Sequence, residues 1–381
     1  MLSIDNKRIT DVIYIDFKKA FDQVSHNKLL LKLNSYGITG DLYGWIKSFL
    51  SNRTQAVKLD GCLSSVIAIL SGVPQGSVLG PILFVLFIND LVDCFKNLAV
   101  STKLFADDLK LYTSYGLTDS SCDLTEALHR VTVWAKKWQL TINSTKCNVL
   151  RIVNPRCKNK SDIVYDLNGS SLKVLSVVKD LGVAVDKNLR FDNHISSVVH
   201  KSLQRANLIL KCFQSRDRSL LMKAFKVYVR PLLEYATPVW SPHFMYLILK
   251  IEHVQRSFTK RLFGLKNLTY IDRLKQLEID TLEHRRLIYD LCTCFKIIHG
   301  YNDTCLDMNR MHLEGRPNNT RGHNLKLAKE MCRTDMLRFF FCNRICTVWN
   351  SLPLDVVNAP SVNSFKKRVS KFNLDRFLTL K

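Results

Sequence analysis

An apolar stretch from Lys103 to Tyr112 is broken at its centre by two adjacent aspartates, Asp107 and Asp108, and no other feature restricts the fold as strongly. Like charges side by side in a low dielectric repel and lose hydration, so the pair must reach water or a cation. An exposed hairpin turn, where Asp is common, satisfies the first option. A divalent cation satisfies the second. Upstream, the β-branched and aromatic run Val12 to Phe17 predicts a buried strand, with Asp16 at its C-terminal end. A neighbouring strand would bring Asp16 beside the pair. Hard carboxylate oxygens with few other protein donors suit Mg2+, which keeps waters and takes phosphate oxygens as its remaining ligands. Two such ions about 4 Å apart, with Mn2+ able to stand in, stabilise the attacking and leaving oxygens of an in-line displacement at phosphorus.

Charge points the same way. The net charge is +23, and it is spread unevenly: +2 over residues 1–113, +4 over 114–194 and +17 over 195–381. A block of that sign draws a polyanion through counterion release, with RNA or DNA the expected partner. The longest apolar run, Pro81 to Ile88, is far short of the roughly 20 residues that cross a bilayer, so no membrane span is expected. Asp5, Lys7 and Arg8 break any signal-peptide pattern at the N-terminus. The expectation is an intracellular, nuclear protein. The twelve cysteines are scattered through apolar stretches, as small core residues are. Cys292, Cys294, His299 and Cys305 superficially resemble a retroviral zinc knuckle, but the first spacing is too short and LCTCFKIIHGY reads as an apolar helix.

Along the chain, helical spacing is read through Leu29, Leu30, Leu33 and Tyr36 to Gly37 and again over Asp41 to Leu50. Thr54 to Leu59 and Ser65 to Leu70 read as strands about an Asp60-Gly61 turn. A helix is expected over Leu79 to Val92 and another over Thr125 to Trp138, with strands over Lys146 to Val153 and beside Asn168-Gly169. After about residue 194 the pattern becomes basic helices: Ile195 to Phe213, Leu220 to Val229 and Ile251 to Phe263. The stretch 291–381 is helical and basic, with a polar break at Gly315 to Gly322 around Pro317-Asn318-Asn319.

Three short segments occur in order: Asp16-Phe17-Lys18-Lys19-Ala20-Phe21-Asp22, then Ser71-Gly72-Val73-Pro74-Gln75-Gly76-Ser77, then Phe105-Ala106-Asp107-Asp108. Together they resemble the A, B and C motifs of reverse transcriptases, in the versions of Jockey-type non-LTR retrotransposons. The resemblance implies an α+β right-hand palm, an antiparallel sheet packed on helices, followed by a helical thumb and a basic helical C-terminal region. The expected boundaries are 1–194, 195–290 and 291–381. It implies an RNA-directed DNA polymerase that adds deoxynucleotides, taken from deoxynucleoside triphosphates with release of pyrophosphate, to a DNA primer 3′-hydroxyl on an RNA template.

Residue by residue, the resemblance makes Asp16, Asp107 and Asp108 holders of two metal ions, with the Phe17 carbonyl as a further ligand. Phe21 would pack against the sugar of the incoming nucleotide and exclude a 2′-hydroxyl, although a core Phe fits that position too. Gln75 and Gly76 would line the nucleotide pocket, glycine allowing close backbone approach. Leu140 to Asn143 with Lys146 resembles motif D, whose lysine would protonate departing pyrophosphate. Asp180 to Val183, Asp186 and Phe191 to His194 resemble the primer-grip region. Lys201, Arg205, Lys211, Arg216, Arg218, Lys223 and Lys226 would hold the primer–template backbone; a solvated helix face is the plainer reading of each. Arg338, Phe340, Arg344, Trp349-Asn350 and Leu352-Pro353 resemble a C-terminal signature of the same elements. Family architecture places an endonuclease and fingers upstream of the first metal-binding Asp, so the expectation is an N-terminally truncated enzyme with weakened phosphate clamping. A non-catalytic nucleic-acid-binding remnant and a group II intron maturase are the competing readings.

Overall fold

A computed structural model of the chain describes residues 6–116, 122–154, 163–301 and 323–380. Contacts divide it into two units, 6–178 and 179–380.

In the first unit, β1 (Ile9–Ile15) is the central strand of a five-stranded sheet. α1 (His26–Ser35) and α2 (Gly40–Leu50) follow, then a ribbon of β2 (Thr54–Gln55), β3 (Lys58–Leu59), β4 (Cys62–Leu63) and β5 (Ile67–Ala68). α3 (Leu79–Ile88) tightens into a 3-10 turn over Asn89–Phe95, which ends the regular helix before the expected Val92. β6 (Ser101–Phe105) and β7 (Asp108–Tyr115) form a hairpin, followed by α4 (Cys122–Trp138), β8 (Asn148–Ile152), β9 (Asp166–Leu167), β10 (Ser170–Ser171) and β11 (Lys173–Leu175). The sheet order is β11-β8-β1-β7-β6, antiparallel except for the β8–β11 pair.

β1 alternates strictly between buried and half-buried positions. Ile9, Ile13 and Ile15 face the helices together with Leu109, Leu111 and Val149. Asp11 shares that face and is fully buried. Arg151, its register partner on β8, donates to it from Nε at 2.8 Å and Nη2 at 2.9 Å. The Tyr115 and Tyr165 hydroxyls add donations at 2.8 and 2.9 Å. Four donations to one carboxylate offset much of its lost hydration. Within α1, buried Lys32 bonds Asp90 and the Phe87 carbonyl and lies 3.7 Å from the Trp138 ring centre. Burial outweighs these partners and pushes its pKa down to about 8.

The Asp60-Gly61 turn is present, with both residues at positive φ, but the ribbon it closes is broken. Its ladders, Thr54–Gln55 with Ile67–Ala68 and Lys58–Leu59 with Cys62–Leu63, are two residues each and exposed. The return strand therefore starts at Cys62, because a two-residue turn leaves no slack.

The second unit is helical: α5 (Asp192–Cys212), α6 (Arg218–Ala224), α7 (Arg230–Glu234), α8 (Thr237–Trp240), α9 (Met245–Lys260), α10 (Tyr270–Leu277), α11 (Leu282–Ile298), α12 (Asp335–Arg338), α13 (Phe341–Trp349), α14 (Leu354–Val357) and α15 (Val362–Val369). A π-helical turn, Phe225–Val229, joins α6 to α7. Two cores form. One runs from Val183 to Leu282 and the other from Ile288 to Leu374. α11 is continuous through position 290 and passes from one core to the other, its Leu282 in the first and Ile288 to Ile297 in the second. Its start is fixed by Glu252, a fully buried carboxylate that accepts from the Leu282 amide at 2.9 and 3.1 Å. Burial pushes that carboxyl up. Among the described residues no helix is long and apolar enough to cross a membrane.

Replacing Asp11 by Ala leaves the Arg151 guanidinium, 12% exposed, without its carboxylate. A loss of about 3–5 kcal/mol is expected, read as a lower urea midpoint for the Asp11→Ala protein. A midpoint within about 0.5 kcal/mol of the parent, the usual range for surface substitutions, would show that the buried pair does not hold the sheet.

Candidate active site

Pairing of Phe105 with Asp108 leaves Ala106 and Asp107 as the two central residues of the β6–β7 turn. Ala106 takes φ +51°, a left-handed conformation that primed hairpin turns need and that costs an L-residue about 1–2 kcal/mol. The turn thus carries Asp107 at the tip and Asp108 as the first residue of β7. Ile15 pairs with Leu109, so one step on, just past β1, Asp16 comes level with Asp108. Parity puts them on one face, continuing the pairs Thr10–Ser114, Val12–Tyr112 and Tyr14–Lys110. That face is opposite the one bearing Ile13, Ile15 and Leu109.

The segment after β1 is held in place by the loop before β8. Lys18 N donates to the Thr141 carbonyl at 2.8 Å, Asn143 N donates to the Asp16 carbonyl at 2.8 Å, and Phe17 bridges to Ile142. The Cys147 thiol accepts from Asp16 N at 3.4 Å. Lys146 Nζ lies 3.9 Å from Asp16 Oδ2. The side chains are 69% and 35% exposed, so this is a screened contact of small energy. Its value is positional: the ammonium stands at the rim of the carboxylate face.

Among the described residues no three of His, Cys, Asp and Glu form a group that could hold a metal ion. The donors stand on adjacent backbone segments and do not form a closed cage. That arrangement fits Mg2+, which is commonly held by one or two carboxylates plus substrate oxygens and water.

The loops carrying the first two motifs are bonded to each other. Gly72 N donates to the Val24 carbonyl at 2.8 Å, Val73 N to the Phe21 carbonyl at 2.9 Å, and Ser71 Oγ to the Asp22 carbonyl at 2.9 Å. His26 Nε2 bonds the Gly72 carbonyl at 2.7 Å, which requires the tautomer protonated there. Gly72 has φ +91°, and a Cβ on it would lie 2.9 Å from both Cα and O of Asp22. Both the torsion and the close approach call for glycine. Gln75 Nε2 donates to Asp22 Oδ1 at 2.8 Å, and its Oε1 has no protein partner among the described residues. Gly76, at φ +82°, has open space where a Cβ would be. Phe21 is half-buried and stacks on the fully buried Phe84 with centroids 4.0 Å apart and planes 15° apart. One face of its ring is thereby braced by the core. A cleft of about 650 Å³ lies beside these loops, lined by Lys19, His26, Arg53, Leu70, Pro74 and Gln75 among others.

Asp16, Asp107 and Asp108 therefore share one end of the sheet with Lys146, and Phe21, Gln75 and Gly76 lie on the two bonded loops. The sequence left Asp22 and His26 without roles, yet these residues tie the loops together. Asp22 could have been noticed as the last residue of the first motif; nothing in the pattern marks His26.

In the second unit, Lys201, Arg205, Lys211, Arg216, Arg218 and Lys223 are exposed and Lys226 half-buried. None of the seven carries an ion pair among the described residues. In the stretch likened to a primer grip, Asp186 accepts from the amides of Asn188 at 2.9 Å and Phe191 at 2.6 Å. The Tyr235 hydroxyl donates to the Leu181 carbonyl at 2.9 Å. His194 is buried against Trp240, and burial pushes its imidazole down.

The cysteine cluster is structural as far as it is described. Cys292 and Cys294 are buried in α11, and burial pushes both thiols up. His299 bonds the Val357 carbonyl at 3.0 Å. Cys305 and the polar break at 315–322 lie outside the described residues. The C-terminal signature also packs the fold: Arg344 forks Asp290 at 2.8 and 2.9 Å, Trp349 Nε1 donates to the Leu325 carbonyl at 2.7 Å, and Asn350 bonds both N and O of Leu327.

Residues 3–185 match the family model described as reverse transcriptase (RNA-dependent DNA polymerase). The chain is 33% identical over 273 residues to the RNA-directed DNA polymerase from mobile element jockey of Drosophila funebris, covering 69% of this chain and 29% of that protein. It is 30% identical over 256 residues to the probable RNA-directed DNA polymerase from transposon BS of Drosophila melanogaster, covering 63% of this chain and 27% of that one. The chain thus spans under a third of the length of these relatives. Among solved structures, a telomerase from Candida albicans is similar at a TM-score of 0.34 and 13% identity, over 71% of this chain and 49% of that one.

Gly72→Ala is expected to cost about 1–3 kcal/mol through torsional strain alone and to separate the two loops. Thermal unfolding together with hydrogen exchange at the Gly72 and Val73 amides checks this. Unchanged protection at both amides would contradict the account.

Proposed function

The chain belongs to the reverse transcriptase family through residues 3–185, and on that footing we propose that it extends a DNA primer with deoxynucleotides copied from an RNA template. The observation that carries the proposal is the placing of Asp16 level with Asp108 by the Ile15–Leu109 pair, on the face away from the core and one residue from Asp107.

Asp16, Asp107 and Asp108, with the Phe17 carbonyl, would hold two Mg2+ ions. When bound, the ions would lower the cost of generating the attacking 3′-oxygen and offset charge on the departing pyrophosphate. The chain's own residues supply the rest. Lys146 Nζ holds a proton at the rim of the carboxylate face, available to the leaving group. Phe21, braced by Phe84, forms a wall whose position can discriminate between sugars, because a ring that cannot retreat leaves no room for a 2′-hydroxyl. Gln75, held by Asp22 through its Nε2, keeps a carbonyl oxygen for the substrate. The cations of α5, α6 and the π-helical turn, which carry no ion pair among the described residues, suit phosphate contacts, which position a duplex without reading its sequence.

Primer extension on poly(rA)/oligo(dT) with Mg2+, comparing the chain with the Asp107→Ala, Asp108→Ala double variant, tests the proposal. Incorporation by the chain and none by the variant, with both binding the duplex equally, is the expected outcome. Equal incorporation by both would sink it. Phe21→Ala should raise ribonucleotide over deoxynucleotide use by about tenfold or more, the scale on which a filled pocket discriminates. An unchanged ratio in an active Phe21→Ala protein would return that ring to a packing role.

A further inference from the structure

A cavity of about 370 Å³ in the second unit lies between α11 and α15, and neither the polymerase reading nor the family resemblance uses it. Its walls include Asp280, His284, Arg285 and Tyr289 on one side and Asn363, Lys366, Lys367 and Ser370 on the other. The charges here sort into those already engaged and those still available. Glu234 takes Arg285 through Nε and through Nη2 at 3.2 Å, and also accepts the Tyr289 hydroxyl at 3.1 Å. Asp280 lies 3.4 Å from His284 Nδ1. The ring is then anchored by one nitrogen, with Nε2 remaining for another partner. Lys366 and Lys367 are exposed, and neither carries an ion pair among the described residues.

Both lysines sit on a rigid support. Phe365 and Val369 are fully buried in the second core, and Ser361 Oγ caps the helix by accepting from Ser364 N at 3.2 Å. The two ammonium groups therefore project from a fixed backbone beside a cavity that also offers a side-chain amide, a hydroxyl and an aromatic ring.

We infer that this cavity binds the phosphodiester backbone of a nucleic-acid strand, using Lys366 and Lys367 as the charge contacts and Asn363, Ser370 and His284 as further hydrogen-bonding groups. Phosphate is the ligand chemistry because paired lysines with hydroxyl and amide donors satisfy its oxygens. A strand is favoured over a free anion because the part of the sequence that supplies the cavity's lining, residues 195–381, carries 32 basic against 15 acidic residues. That excess holds a polyanion along a surface rather than one ion in a hole. The inference does not depend on catalysis.

The test measures binding of a fluorescein-labelled single-stranded RNA 20-mer by anisotropy across a salt series, using the whole chain. Lys366→Glu, Lys367→Glu is compared with a variant of equal charge change in the other unit, Lys47→Glu, Lys136→Glu. The pocket variant should bind several-fold more weakly and lose about 1.4 from the slope of log K against log salt, about 0.7 for each single-strand contact. The control should lose less on both measures. Lys366→Gln, Lys367→Gln, with its thermal midpoint, guards against a folding defect and should show a smaller loss in the same direction. Asp107→Ala, Asp108→Ala should bind as the parent does, which keeps this result apart from any failure of the polymerase reading. Equal effects of pocket and control variants would overturn the inference. So would protection of the two lysines from acylation by inorganic phosphate but not by the RNA.

Discussion

Side chains alternate across a strand, so the pairing of Ile15 with Leu109 sets more than one apolar contact. It decides which face of the sheet receives every residue of β1 and β7. In the observed register Ile9, Ile13 and Ile15 lie under the helices with Leu109 and Leu111, and the same register, carried one residue on, brings Asp16 level with Asp108 on the other side. A slip of one residue would exchange the faces, burying the aspartates and exposing the isoleucines. The buried Asp11 works against such a slip as well. Arg151, Tyr115 and Tyr165 all reach it only when β8, β1 and β7 are aligned as they are, and any other alignment leaves a carboxylate or a guanidinium unpaired in the core. The carboxylate face is thus a consequence of core packing on the reverse of the same strands.

The loops show a comparable economy of means. Phe21 to Val24 and Ser71 to Val73 bond through backbone groups, and Gly72 lets the two chains approach within reach of Asp22. Asp22 then orients Gln75. Residues far apart in the chain acquire fixed relative positions from backbone bonds, while Asp22, His26, Ser71 and Gln75 line the cleft.

Much of this was legible beforehand. The paired aspartates interrupting an apolar run pointed to a hairpin turn or a cation site, and the turn is there, although β7 extends to Tyr115 and β1 begins at Ile9. Asp60-Gly61 and Asn168-Gly169 announced their turns through residues that tolerate positive φ. Other features could not be read locally. The partners of Asp11 lie 104, 140 and 154 positions away, and an Asp in a strand says nothing about which Arg will meet it. Lys146 resembled a motif lysine, but only the loop bonds at Thr141 and Asn143 bring it to Asp16. The boundary expected near 290 falls within α11, which runs through it unbroken with Leu282 in one core and Ile288 to Ile297 in the other. The Trp349-Asn350 signature offered no chemistry as sequence, and in the fold its polar atoms bind the backbone at Leu325 and Leu327.

The proposed polymerase activity requires two segments distant in sequence to present one divalent-cation site. Fe2+ taking the place of Mg2+ generates hydroxyl radicals in ascorbate and peroxide, which cut the backbone nearest the ion, and the cuts can be mapped by mass spectrometry. Paired cleavage within Ile15 to Lys18 and within Phe105 to Leu109, suppressed by excess Mg2+ and absent from the Asp107→Ala, Asp108→Ala protein, is the predicted result. Cleavage confined to one segment, or unaffected by Mg2+, would contradict it.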